Sequence, residues 1–399
     1  MPRHAMIEVF YFFFFQSVAI NMAYMPSHLR ALGLPGREIS AALAVAPILS
    51  LAVPLGWAWL ADRTRRHDRV LRIVACGAWL GFSPLVLVRG PAARSFSVIL
   101  TGYLAYAVFA VGMGGLADAL AVVRVRAGAI YGRLRLWGSV GFVIAAVAIG
   151  AAIGARHADL AGPLVPLAMW LALGGAFVAA TRLRGAREEA TRPHAADFRA
   201  LLQAPGLRLL LLAGALHWAC MTPYNIFFGI FLRDLGLPPL AWGLAYSVGV
   251  VAEMLVLLYF HRLHARFSLD ALLASAFVVS ALRWLAVSRL RSPVALILLQ
   301  SLHGMTFGMF WSAAIAVVAA TVPAPLRATG QALLVMSINL GGAIGNLSMG
   351  ALYDVSGPRT LFLLAAIGEV LPLCVVLRAR HHLRAAVATG RGSVQALER

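Results

Sequence analysis

Six ionisable side chains inside long apolar runs are the first candidates for chemistry: Asp118, Arg135, His217, Glu253, Arg283 and His303. A charge within a membrane span costs several kcal/mol unless it is paired or faces water, so each is a candidate for solute binding or proton handling. Asp118, near the inner end of its run, and Arg135, near the inner start of the next, can pair across neighbouring helices. That pair reads either as a structural salt bridge or as a recognition site in which Arg135 takes a substrate carboxylate through two parallel bonds. Glu253 lies past the midplane of its run and has no partner nearby in sequence. It is the expected proton site, since a carboxyl there can load and release a proton as water reaches it from alternate sides. His303, near mid-run, can donate to substrate or to Glu253, or be a neutral imidazole satisfied by a backbone carbonyl. His217 has a similar depth. Arg283 lies close to the outer end of its run and is expected to snorkel outward, while Glu8 and Glu369 are expected to be peripheral. Among the aromatics, Phe142, Trp218, Tyr224 and Trp311 can stack on a flat substrate ring.

The elements that carry these residues follow from composition. Of 399 residues, 61% are hydrophobic and 12% charged, and the mean hydropathy is +0.84. Such a chain is an all-α integral membrane protein with no room for a sizeable soluble domain. Twelve apolar spans run from 7–27 to 358–378, six on each side of the polar stretch Arg182–Arg208. The expected organisation is a six-helix half at 1–181, a cytoplasmic loop at 182–206, a second six-helix half at 207–379 and a basic cytoplasmic tail at 380–399. Two six-helix halves around an inward central loop are the pattern of transporters whose substrate site lies near the bilayer midplane, worked by rocking of one half against the other.

The net charge of +19 has a topological origin. No lysine occurs, and with both termini inside, 24 of the 34 arginines fall on the cytoplasmic side. That bias sets the orientation in a cell (inner) membrane and removes the need for a nucleic-acid partner. The expected partners are a small-molecule substrate, protons and membrane lipid, with the chain acting as a monomer. The N-terminus lacks a cleavable signal pattern, so the first helix is expected to be kept. Cys76, Cys220 and Cys374 have no metal-like spacing and read as small hydrophobes. Without lysine no P-loop can exist, so no nucleotide cofactor is expected, and His-Glu-x-x-His and Gly-x-Ser-x-Gly are absent. The chain is expected not to be an enzyme and to bind neither metal nor cofactor. A sensor without transport activity is the remaining class, and it lacks an output domain. Gly150-x-x-x-Gly154 and Gly341-x-x-x-Gly345 read as helix-packing faces, and Pro223 interrupts the seventh span where freed carbonyls could line a cavity.

Two groups of motifs carry a resemblance. Gly56-Trp-Ala-Trp-Leu-Ala-Asp62-Arg63-Thr-Arg65-Arg66, between the second and third spans, resembles the inner-loop motif of the major facilitator superfamily, with Ala58 where glycine is usual. There Asp62 would accept bonds from a helix N-terminus and from arginine, with Arg63 and Arg66 in the same inner gate. Tyr131-Gly-Arg133-Leu-Arg135-Leu-Trp137-Gly-Ser-Val-Gly-Phe142, Glu253 after Gly249-Val-Val-Ala, His303-Gly-Met-Thr-Phe and Arg327-Ala-Thr-Gly-Gln331 together resemble the branch holding lactose permease and phenylpropionate permease. The resemblance implies a major facilitator fold of twelve transmembrane helices. It places Asp118 and Arg135 in substrate recognition, Glu253 in substrate binding and proton coupling, Arg283 and His303 in the coupling network, and Phe142 where a sugar permease stacks a tryptophan. Thr306 stands where the lactose branch has its proton-carrying glutamate, and Asn225 and Gln300 where it has charges. These departures disfavour a galactoside. The expected function is secondary transport of a small organic solute, an aromatic acid, nucleoside or sugar, by proton symport and alternating access. The same parts could run as an exporter or as a facilitator without protons.

Overall fold

In a computed structural model the chain is helical throughout residues 5–88, 90–126, 131–155, 159–183, 205–323, 326–378, 380–381 and 384, apart from short connections; these are the residues described. Most of the central loop and of the tail lies outside them, as does Arg3. In hydrocarbon every backbone N–H and C=O must be satisfied within the segment, and helices do this where about 20 apolar residues run together. The helices are α1 (Ala5–Ala23), α2 (Met25–Ala31), α3 (Gly36–Leu49), α4 (Val53–Thr64), α5 (His67–Leu87), α6 (Phe96–Arg126), α7 (Tyr131–Ala155), α8 (Leu164–Thr181), α9 (Pro205–Thr222), α10 (Phe228–Asp234), α11 (Pro239–Arg266), α12 (Leu269–Arg289), α13 (Pro293–Leu299), α14 (Phe310–Thr321) and α15 (Arg327–Gly368).

Among the described residues, 11 stretches are long and apolar enough to cross a membrane, and the last of them, Thr329–Arg378, holds both of the final expected spans. They are joined rather than separated because the helix resumes directly after Gly357, whose φ of 74° only glycine adopts without strain, and Pro358. Two other spans widen into single π-helical turns, Pro223–Phe227 between α9 and α10 and Gly304–Met309 before α14. Proline lacks the N–H that the regular ladder needs at position 223, which accounts for the first.

The chain forms two compact units. The first comprises Met1–Ala190 with Tyr224–Ser247 and Asn346–Gly357. Its helices approach through glycine: a Cβ at Gly141 of α7 would strike the Phe12 carbonyl of α1, and one at Gly81 of α5 would lie 2.5 Å from the Ala105 carbonyl of α6. Gly150 is used the same way, against the Pro239 carbonyl and the Tyr24 hydroxyl, whereas Gly154 faces open space. Tyr24 donates to the Ala146 carbonyl, tying the end of the first span to α7. Beyond that span, His28 is buried with Nδ1 2.6 Å from the Leu160 carbonyl, at the edge of a cavity of about 700 Å³ lined also by Arg94, Tyr103 and Asp159. Burial holds the His28 imidazole below its ordinary range; the Leu160 bond and Asp159 act in the opposite sense.

The second unit comprises Thr191–Pro223, Val248–Gly345 and Pro358–Arg399. Its core joins Leu210 and Ala213 of α9, Phe277 of α12, Phe310 of α14 and Leu334 of α15. Both glycines of the Gly341/Gly345 face are in use here, against the Ala215 carbonyl and the Thr222 hydroxyl of α9. At the start of α12, Arg384 clasps Asp270 at 2.8 Å.

Candidate functional site

In the first unit the close approach of α1 and α7 brings three helices to one polar point. Tyr11 of α1 donates to Asp118 Oδ1 of α6 at 2.5 Å, and Arg135 Nη1 of α7 lies 3.5 Å from the same oxygen. The guanidinium sits over the Tyr11 ring at 5.6 Å and the Phe15 ring at 4.8 Å. Arg135 is therefore held by rings on one side and a carboxylate at its tip, with about two-fifths of its side chain accessible. Asp118 and Arg135 do meet, but Tyr11 is the nearer partner of the carboxylate. Tyr11 is the one hydroxyl-bearing member of the run Phe10–Phe15, which is the signal that could have singled it out. Phe142, 5% exposed on α7, is packed into the unit. Tyr224 is buried against Phe228 and Tyr246, and Asn225 lies beside it, partly buried, on the π turn.

The inner-gate residues take a different arrangement from the expected one. Asp62, half exposed at the end of α4, pairs with His67 Nε2 of α5 at 3.1 Å. Arg65 adopts a left-handed conformation, φ 53°, and this tight turn carries His67 back to Asp62. Arg63 lies instead over the Trp59 ring of its own helix at 5.1 Å, and Arg66 is exposed at the start of α5.

The second unit holds the larger constellation. Gly304 lets the tenth span, Pro293–Thr321, press against α11, where a Cβ would meet the Ala252 carbonyl, and this sets His303 beside Glu253. His303 Nε2 is 3.9 Å from Glu253 Oε2, with 22% of the Glu253 side chain accessible. On its other side Nδ1 lies 3.1 Å from Arg283 Nη1. Arg283 does not snorkel: it is fully buried and donates to Thr306 Oγ1 at 2.8 Å and to Gln300 Oε1 at 2.5 Å. Gln300 is oriented for this by donating its own amide to the Leu296 carbonyl at 2.7 Å. Bringing an arginine to a membrane interior costs about 2.5–3.5 kcal/mol or more. Charge-assisted bonds of about 1.5–3 kcal/mol each offset that cost, which is why the side chain turns inward to this cradle.

Glu369, expected to be peripheral, is fully buried just past α15. His217 Nδ1 lies 2.9 and 3.0 Å from its two oxygens, and Trp284 Nε1 donates to it at 3.4 Å. His217 Nε2 faces the Thr306 carbonyl at 3.1 Å. An aromatic ladder runs alongside, His303 stacked on Phe307 at 5.4 Å and Phe307 on Trp311 at 6.1 Å, with Trp218 of α9 against Phe307 at 5.6 Å.

Membrane-spanning helices in such number, with polar constellations enclosed inside their bundles, define a polytopic carrier of the major facilitator type. Residues 4–364 match the MFS_1 like family, and the chain belongs to it. It is 32% identical to the maltose permease of Geobacillus stearothermophilus over 290 residues, 71% of either chain. It is 25% identical over 376 residues to the probable 3-phenylpropionic acid transporter of Escherichia coli (strain K12), covering 91% of this chain and 97% of that one. Among solved structures, the nucleoside transporter NupG superposes with a TM-score of 0.81 at 18% identity, covering 95% of this chain and 99% of that one, a likeness of fold. The protein is a multi-pass membrane transporter of small solutes, not an enzyme.

Proposed function

We propose that this carrier is a proton symporter for a small organic solute of the aromatic acid, nucleoside or sugar classes, working by alternating access in the inner membrane with both termini cytoplasmic. The observation that carries the reading is the chain Glu253, His303, Arg283: a partly accessible carboxyl beside an imidazole whose far nitrogen is held by a buried cation. A carboxyl so placed exchanges protons with water while its neighbours stay fixed, which is what coupling requires. The ladder of His303, Phe307 and Trp311 supports a flat ring in the solute. Arg135, with Asp118 and Tyr11, supports recognition of a carboxylate or hydroxyl group. The maltose and 3-phenylpropionic acid relatives bracket the same range.

The test is proton flux on purified protein in liposomes, with 3-phenylpropionate, maltose and uridine as probes. The expected result is external alkalinisation on addition of one probe, abolished by Glu253→Gln while exchange of the labelled probe at equal pH persists. Probe entry without proton movement, the same in the variant, would establish the facilitator reading, which the three uncharged acceptors around Arg283 favour.

A further inference from the structure

The hydrogen positions of the His217–Glu369 pair follow from chemistry. A carbonyl oxygen only accepts, so the 3.1 Å contact with Thr306 requires His217 Nε2 to carry a hydrogen. The other ring nitrogen then faces both carboxylate oxygens within 3.0 Å. That edge must hold one proton, either as imidazolium beside carboxylate or as imidazole beside carboxylic acid, and the pair is net neutral in both forms. Removing the proton would set a nitrogen lone pair against a bare carboxylate at a site with no solvent exposure, at a cost of several kcal/mol.

The surroundings keep the site dry. Phe277 and Phe310 pack on the imidazole with ring centroids at 5.1 and 4.7 Å. Among the described residues, Cys220 on α9 and Trp284 on α12 lie beside Glu369, His303 is close enough to His217 to feel its charge, and Arg283 lies over the Trp284 ring at 4.5 Å. The carboxylate belongs to the end of α15, the imidazole to α9 and the indole to α12, so the site is closed only while these three segments stay packed.

We propose that His217 and Glu369 form a second proton site of this carrier, holding one exchangeable proton while the segments are packed and releasing it when they part and water enters. The inference rests on the proton-coupled reading above and adds a site to it. Coupling then involves two carboxyls in the same unit, Glu253 on the accessible side and Glu369 in the interior.

The experiment is pH-induced infrared difference spectroscopy on the purified full-length protein in liposomes, comparing wild type with Glu369→Gln, Glu253→Gln and Trp284→Phe. Glutamine at 369 can still donate to Nδ1 and accept from Trp284, so Glu369→Gln keeps the packing and removes only the exchangeable proton. The expected result is one carboxyl band and one imidazole band that titrate together, vanish in Glu369→Gln, persist in Glu253→Gln and shift in frequency in Trp284→Phe. A Glu369→Gln spectrum superimposable on wild type overturns the second site. If Glu253→Gln also matches wild type, the proton-coupled reading falls with it; if Glu253→Gln loses bands, only the second site falls. Trp284→Phe, which leaves both titrating groups in place, keeps the test open should Glu369→Gln fail to fold: an unshifted carboxyl band would then count against the site.

Discussion

Arg283 Nη1 lies 3.1 Å from His303 Nδ1. A guanidinium donates and never accepts, so this nitrogen must present a lone pair, and the ring hydrogen of a neutral His303 is fixed on Nε2. That hydrogen is aimed toward Glu253, 3.9 Å away. A buried cation thus decides which tautomer the carboxyl meets.

The first prediction is spectroscopic. In protein labelled with 15N-histidine, His303 should give the nitrogen shifts of the Nε2–H tautomer, identified by their loss in His303→Gln. In Arg283→Met the preference should relax to a mixture. A Nδ1–H signature in the wild type would refute the assignment.

Tyr11→Phe removes the 2.5 Å bond to Asp118 and leaves the ring beneath Arg135 in place. A hydrogen bond to a charged group is worth about 1.5–3 kcal/mol; this one is internal, so its loss acts on binding by loosening the carboxylate beside Arg135, and apparent affinity for the transported probe should fall by up to about tenfold. Asp118→Asn should cost at least as much. Both variants should also melt a few degrees lower, because the bond is part of the folded chain with or without substrate; unchanged affinity in both would remove the cluster from recognition.

Helix approach is tested by glycine. Gly141→Ala places a methyl group against the Phe12 carbonyl and should destabilise by about 1–3 kcal/mol, lowering Tm by several degrees. Gly154→Ala, which meets nothing within 4 Å, should leave Tm unchanged or slightly raised. Equal effects would show that α1 and α7 do not depend on this contact.

His28 predicts a pH dependence. Its folded-state value is held below the ordinary 6.5 by burial, so the unfolded chain binds the proton more readily. The stability it contributes is complete above about pH 6.5 and is lost as pH falls toward the folded value, at up to about 1.4 kcal/mol per pH unit. Melting curves of the wild type between pH 7 and 5 should therefore fall more steeply than those of His28→Gln.

Hydropathy is a local property, and the positions of the spans were legible for that reason. Glu369 was not, because its partner His217 is 152 residues away and no local pattern records the pairing. Its depth in an apolar run was the available clue, since a carboxyl there is costly wherever its partner lies. Arg283 shows the reverse limit. Position along the span suggested an outward reach, whereas acceptors supplied by the next span drew the side chain inward. The pairing of Asp62 with His67 depended on a left-handed residue at Arg65, a conformation that arginine does not advertise.

The wide turn at Gly304–Met309 has a consequence for how this chain can vary. Such a turn is an α-helix that has absorbed one extra residue, so deleting any single residue within it would restore the regular helix. Because the wide turn already takes up the extra residue, everything beyond would keep its face toward the core, and only the residues of the turn itself would change register. Phe310 would stay on the His217 ring, whereas the Thr306 carbonyl that faces His217 and the Thr306 hydroxyl that takes the Arg283 bond would both be displaced. Shortening the turn by one residue would thus leave the helix packed and take away the cradle of Arg283.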